Sequence, residues 1–337
     1  MLHYIIRRLF FAVPTLIGVT LASFLVSHAL PTDLVLVNLG DRAAQKPELV
    51  AAFKKRWGLD QPLPIQYITY LGHLARGDLG ISINSQRPVI QELWLSLPAT
   101  IELSTAAMVI AIASGVLLGV VSATHRDSLW DFLVRGLSSL GMATPTFWLA
   151  VLMLFVFYFY LGWSPAPGRL DSGLAPPSTT TGMYTIDALL SMKVPLFWNA
   201  FEHLVLPSIV LAATITALIV RVTRSSMVDV LGQDFVRTAH AKGLTRSRVL
   251  GRHALRNALI PIITVTGTLY GQLMSGTILT ETIFSWPGLG RYAFVSASSL
   301  DFPAIMGVAF FVGVVYILIN LVVDILYASI NPRIRFG

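Results

Sequence analysis

Six stretches of about 18 or more mostly apolar residues limit what this chain can become more than any other feature. They lie at roughly 9–29, 101–121, 137–161, 204–222, 258–280 and 303–327. Each is long enough to cross the about 30 Å of hydrocarbon in a bilayer. Lipid offers backbone N–H and C=O groups no partner, so the runs are expected as helices, which satisfy those groups internally. They are too long for the strands of a membrane barrel, which need only about 9–11 residues. With 55% hydrophobic residues, 12% charged residues and a mean hydropathy of +0.71, the chain also lies far from the balance of a soluble domain. The expected class is an all-α integral membrane protein with six transmembrane helices.

The opening "IIRRLFFAVP" mimics an export signal, but its apolar run exceeds the usual signal core of about 7–15 residues, so a retained first helix is expected. Six spans put both termini on one side. Arg7 and Arg8, Arg126 and Arg135, the cluster from Arg221 to Arg256, and Arg333 and Arg335 all fall on that side, which should therefore be cytoplasmic. The long segment 30–98 opposite carries bases too, but acids are interleaved with them, and loops beyond about 60 residues translocate largely regardless of charge.

The largest inner loop holds "DFVRTAHAKGLTRSRVLGRHALRNALIP" at 234–261. Helix formers run up to Lys242, Gly243 sits where a left-handed terminal residue is wanted, and Leu244 follows as the apolar contact of such a cap. Thr245 can cap a second helix, with Pro261 interrupting or kinking it near the membrane. The expected form is helix, sharp turn, helix. Thr238, Ala239 and Ala241 keep the first helix thin, which suits a groove on another protein. A basic segment touching anionic lipid, at about 1 kcal/mol per basic residue, fits the same residues.

No lysine is preceded by glycine and followed by Ser or Thr, so the phosphate-binding loop of an ATPase is absent. The seven histidines show no His-Glu-x-x-His spacing, no Gly-x-Ser-x-Gly elbow occurs, and the chain has no cysteine. These absences give no support to an enzyme, a resident metal or a cofactor. Asn320 and Asp324, four apart in the last span, form an intramembrane polar pair. Asp324 is either a proton or cation relay or a packing residue paired with Arg221 or Arg224. Small residues at four-residue spacing, Gly115 with Gly119 and Gly267, Gly271 and Ser275, mark close helix approaches. The second ridge either borders a pathway or partner or serves packing within the chain. "PLPIQYITYLGHLARG" at 62–77 puts Ile65, Ile68, Leu71 and Leu74 or Ala75 on one face of a short amphipathic helix, and 163–182, rich in Pro, Gly, Ser and Thr, reads as an outer loop.

"RTAHAKG" followed by "RNALIP" resembles the cytoplasmic loop of binding-protein-dependent ABC importer permeases, written E-A-A, three residues, G. Arg237 and Thr238 stand here for the Glu and the first Ala, a departure similar to the peptide-transport branch. "YIIRRLFFAVPTLIGVT", "WGLDQPLPIQY", "RGDLGIS", "LPATIEL", "TPTFWLAVL", "LGWSPAPGR", "ILTETIFSWPGLGR" and "NPRIR" resemble that branch nearly end to end. "LPTDL" at 30–34 departs from the usual Pro-Gly-Asp-Pro.

The resemblance implies a type I importer permease in a bacterial or archaeal cytoplasmic membrane, moving di- or oligopeptides by alternating access. Its implied partners are a second homologous permease, two ABC ATPase subunits that bind ATP and Mg, an extracytoplasmic substrate-binding protein and membrane lipid, with no nucleic acid. The coupling helix would present Asp234, Arg237, Thr238, Ala239, Lys242, Gly243 and Leu244 to an ATPase, and the fifth span would border the pathway. The implied division is a first helix with a long extracytoplasmic segment (1–98), a five-helix core (99–328) and a cytoplasmic tail (329–337). The rival reading is an ion- or proton-coupled secondary transporter, for which no inverted repeat is visible.

Overall fold

The computed structural model describes residues 2–29, 46–57 and 60–330. The "LPTDL" stretch, Arg333, Arg335 and nearly all of the expected tail lie outside these. Among the described residues the chain is helical, with no strand and one isolated bridge between Ile81 and Pro88. The chain packs as two compact units, one formed by residues 1–98 and 287–317, the other by residues 99–286 and 318–337.

In the first unit, α1 (Leu2–Ala29) meets α3 (Leu63–Ala75), the amphipathic helix expected within 62–77; a further helix, α2 (Pro47–Trp57), precedes it. Phe24 stacks near Tyr67 and Tyr70, Thr20 Oγ1 and Tyr67 OH lie 2.9 Å apart, and His28 reaches Gln66 at 3.1 Å. Buried Leu79, Val89 and Leu93 pack with Leu289, Ala304, Val308 and Phe311, where α4 (Val89–Thr124) begins and α13 (Phe302–Ile330) starts after α12 (Leu289–Ser298). Asp301 caps α13: its carboxylate accepts from Ala304 N at 3.3 Å, from Ser82 Oγ at 2.5 Å and from Asn84 N at 3.2 Å.

The second unit is built on α4 and the long α8 (Val194–Leu231). Gly115 and Gly119 are the reason these helices approach closely: a Cβ at Gly115 would lie 2.7 Å from Ile219 Cβ, and one at Gly119 would lie 2.5 Å from Thr223 Cβ. The expected span at 137–161 is not one straight helix. α5 (Leu129–Ala143) and the pair formed by α6 (Thr146–Met153) and a π-helical segment, Leu154–Tyr160, meet at 101°. Pro145 has no N–H to continue the ladder and forces Thr144 into an extended conformation (φ −81°, ψ 121°), which breaks the helix there.

Among the described residues, four helices are long and apolar enough to cross a membrane: Ile6–His28, Val89–Thr124, Val194–Leu231 and Phe302–Val323. There are five if the bent pair counts as one. The expected span at 258–280 forms α10 (Arg256–Gly276), which is not among them. Gly267 lies against the last helix, where a Cβ would come within 2.1 Å of Val323 Cγ1, so this part of the ridge serves packing inside the chain. Gly271 is buried on the same helix, and the side chain of Ser275 lies outside the described ones.

Asp131, at the start of α5, is buried and gathers four donors. Arg224 Nε and Nη2 each approach it at 2.7 Å in a two-pronged contact, Ser122 Oγ at 2.5 Å and Asp127 N at 3.1 Å. One carboxylate thus ties α4, α5 and α8 together. Arg224 is committed to it, and the expected pairing of Asp324 with Arg221 or Arg224 rests on a side chain outside the described ones. Asn320 sits on α13, and the side chain of Asp324 lies outside the described ones.

Candidate functional site

α8 ends at Leu231, and after Gly232 and Gln233 the chain forms α9 (Asp234–Ala241). Asp234 in its first turn and His240 in its last suit the helix dipole. Val236 and Ala239 are buried in the unit's core with Val230, Val249 and Ala254, and Leu244 packs against the same cluster. Ala239 and Leu244, expected at a partner surface, are therefore turned toward the chain's own interior, because the apolar face of so short a helix is what docks it. Asp234, Arg237, Thr238, Lys242 and Gly243 are exposed, as is Phe235 beside them. The Arg237–Asp234 pair at 3.4 Å is fully in solvent, where such pairs contribute little.

The turn is a Schellman motif. Gly243 adopts φ +75°, its N–H donates to His240 O at 2.9 Å, and Leu244 N–H donates to Ala239 O at 3.3 Å. Thr245 starts the next helix without a side-chain cap, and the helix runs through Arg246–Arg248 and a π-helical segment, Val249–Leu255, into α10. Pro261 sits inside α10 without ending it. Arg246 Nη2 donates to Thr124 O at 3.3 Å, the C-terminal residue of α4, so the turn is tethered to a second helix end. The result is a rigid, exposed ridge of about two helical turns followed by a left-handed corner.

Sequence reasoning missed a second group of residues. Glu102 and Arg169 form a buried ion pair, Glu281 is fully buried and accepts from Thr100 and Thr277 hydroxyls at 2.7 and 2.8 Å, and Asp187 is fully buried under the loop 162–183. Asp187 accepts from the N–H groups of Thr180, Thr181 and Gly182 at 3.3, 2.8 and 2.9 Å and from Thr181 Oγ1 at 2.8 Å. Burial pushes its carboxyl upward, but those hydrogen bonds outweigh it and hold the group below its ordinary value. The available signal was that Glu102, Arg169 and Glu281 fall in "LPATIEL", "LGWSPAPGR" and "ILTETIFSWPGLGR". No group of three or more His, Cys, Asp or Glu suited to a metal ion occurs among the described residues.

Long apolar helices joined by charged, capped turns define a multi-pass α-helical membrane protein. Residues 115–336 match the family model for the binding-protein-dependent transport system inner membrane component, and residues 1–104 match the N-terminal model of the same systems. The chain belongs to this family and is a membrane permease subunit. It is similar to the dipeptide transport system permease protein of Alkalihalophilus pseudofirmus (44% identity over 100% of both chains) and to the di/tripeptide transport system permease protein of Pseudomonas aeruginosa (46% identity over 99% of both). It also resembles the probable D,D-dipeptide transport system permease protein of Escherichia coli, at 44% identity over 95% of this chain and 94% of that one. Family membership gives the secondary-transporter alternative no support.

Proposed function

We propose that this chain is one of two permease subunits of a type I ABC importer for dipeptides and short oligopeptides. The single observation that carries the substrate class is near-full-length similarity at 44–46% identity to permeases named for dipeptides, di/tripeptides and D,D-dipeptides. In this reading the chain crosses the membrane six times. The bent α5–α6 pair is one span and α10 is another, in which the Thr264 and Thr268 hydroxyls donate back to Ile260 O and Thr264 O of the same helix. Both termini and α9 face the cytoplasm.

Two ABC ATPase subunits bind ATP and Mg, a second homologous permease completes the path, and an extracytoplasmic binding protein delivers the peptide. Residues 1–98 supply the first span and its long following segment, residues 99–328 the transport core, and residues 329–337 a cytoplasmic tail. The exposed ridge Asp234, Arg237, Thr238, Lys242 and Gly243 is the part an ATPase grips, while Ala239 and Leu244 hold that ridge on the permease. Rigid attachment of the ridge to α8, α10 and the end of α4 supports its use as a lever, since a force applied there reaches three long helices. ATP binding closes the ATPases, draws the levers together and opens the path outward.

The test is uptake of a labelled dipeptide by the complex reconstituted in vesicles. Uptake should require both hydrolysable ATP and the binding protein; uptake that persists without hydrolysis, or that follows an imposed proton gradient, would overturn the importer reading.

A further inference from the structure

Three stretches that the lever reading leaves unused converge within the second unit. From "LPATIEL" come Ala99, Thr100 and Glu102 on one turn of α4; from "LGWSPAPGR" comes Arg169; from "ILTETIFSWPGLGR" come Glu281 and Trp286. Arg169 Nη2 lies 2.5 Å from Glu102 Oε2 and 3.0 Å from Gly182 O, and its guanidinium carbon sits 3.5 Å from the centre of the Tyr184 ring and 5.3 Å from the Trp286 ring. The second oxygen of Glu102 accepts from Thr185 N at 2.8 Å and Thr185 Oγ1 at 2.6 Å. Trp286 Nε1 donates to Ala99 O at 2.7 Å. A single turn of α4 therefore holds the loop 162–183 at Arg169 and, through Thr185, the helix that follows it, α7 (Tyr184–Leu190), together with the segment that includes α11 (Ile278–Ile283).

That loop contains no helix, and irregular loops beyond about 12–15 residues are usually either functional or disordered. This one is stapled along its length. Asp171 accepts from the Asn199 amide and lies 3.5 Å from His203 Nε2, and Asp187 gathers the donors of Thr180 to Gly182. Its exposed side includes Trp163 and Leu174 and the single charge of Asp171, because Arg169 is turned inward. A buried ion pair is poor at adding stability, since well-packed apolar side chains do as well, and in some proteins such pairs serve to fix one arrangement instead. Arg169, planar and stacked on Tyr184, is more orientation-selective than lysine would be.

We propose that Arg169 and Glu102 are positioning residues for transport, fixing the loop 162–183 on α4 so that it meets the soluble, peptide-loaded partner in one orientation. This rests on the importer reading and on that loop facing the extracytoplasmic side. The partner chemistry follows from the surface: a partly apolar patch with the single negative charge of Asp171 suits a protein that docks mainly by shape, with the orientation set beforehand by the clamp.

The experiment measures ATP hydrolysis by the complete reconstituted complex against the concentration of binding protein loaded with alanyl-alanine. In R169M and in the double variant E102L/R169M, the concentration giving half-maximal stimulation should rise about tenfold or more. The maximal rate and the rate without binding protein should stay at the wild-type values. R169K, which keeps the charge but not the planar stack, should fall between. If E102L/R169M matches wild type, the pair only fills space and the proposal fails. A lowered maximal rate at an unchanged half-maximal concentration also overturns it, by moving the effect to a later step. Should R169M not accumulate in the membrane, R169K carries the same test. A wild-type complex that ignores the loaded binding protein would overturn the importer reading itself, and is distinguished by appearing before any variant is made.

Discussion

If α9 is the lever proposed above, replacing Gly243 by valine should uncouple transport from ATP while leaving the permease in the membrane. At φ +75° a side chain is opposed by its own backbone, at about 1–2 kcal/mol for an ordinary L-residue and more for a β-branched one. Space is not the obstacle, because a Cβ built at Gly243 meets nothing within 4 Å. The strain therefore falls on the turn and its two capping hydrogen bonds, Gly243 N to His240 O and Leu244 N to Ala239 O. An energy of 1–2 kcal/mol lowers the ratio of formed to opened turn by a factor of about 5–30. Opening would release Leu244 from the core and loosen the Arg246 contact to Thr124 O. G243N is the control, since asparagine tolerates the left-handed region better than other residues. ATP-driven dipeptide uptake per inserted permease should fall severalfold in G243V and stay near wild type in G243N. Equal, normal transport in both variants would refute a role for the turn. Equal loss in both would show that the absence of a side chain matters rather than the backbone angle.

Three further outcomes are expected. Removing the Asp131 carboxylate as D131A should cost about 3–5 kcal/mol, because it strands a largely buried Arg224; thermal unfolding of the purified protein in detergent should show this, with D131L/R224M markedly milder. G267A should destabilise by about 1–3 kcal/mol through the contact with Val323, and G267A/V323A should recover most of the loss in the same assay, which a ridge facing a partner would not permit. Asp187 is held below its ordinary value of 3.8, so the stability it contributes is fully present above that pH and is lost only as pH falls through the lower folded value. Proteolytic nicking of the loop 162–183 should therefore stay constant from neutral pH down to about pH 4. D187N should raise nicking at neutral pH, since an amide brings donors to a site already crowded with them.

Membrane character, the helical class and the helix–turn–helix at 234–255 were legible in the sequence, because each depends on local composition or on one residue's backbone freedom. Runs of apolar residues need helices wherever they insert, and Gly243 with Leu244 after it spells a left-handed cap whatever surrounds it. The break at Pro145 was equally local, and reading 137–161 as one run overlooked it.

What only the tertiary structure decided was partnership. The α9 pattern does not say which of its small residues faces inward, and burial of Val236 and Ala239 leaves Asp234, Arg237, Thr238 and Lys242 as its exposed face. Gly115, Gly119 and Gly267 read alike as small residues, but only packing shows that they accommodate Ile219, Thr223 and Val323. Arg224 was considered in the sequence only beside Asp324, and packing shows its two-pronged contact with Asp131, about ninety positions away. Glu102, Arg169 and Glu281 looked like isolated polar residues in three separate motifs. Ion pairs and close helix contacts depend on distances that chain order does not encode, whereas hydropathy and backbone preference act within a few residues. The solvent a chain will accept is therefore readable along its length, and the pairings that hold its helices together are not.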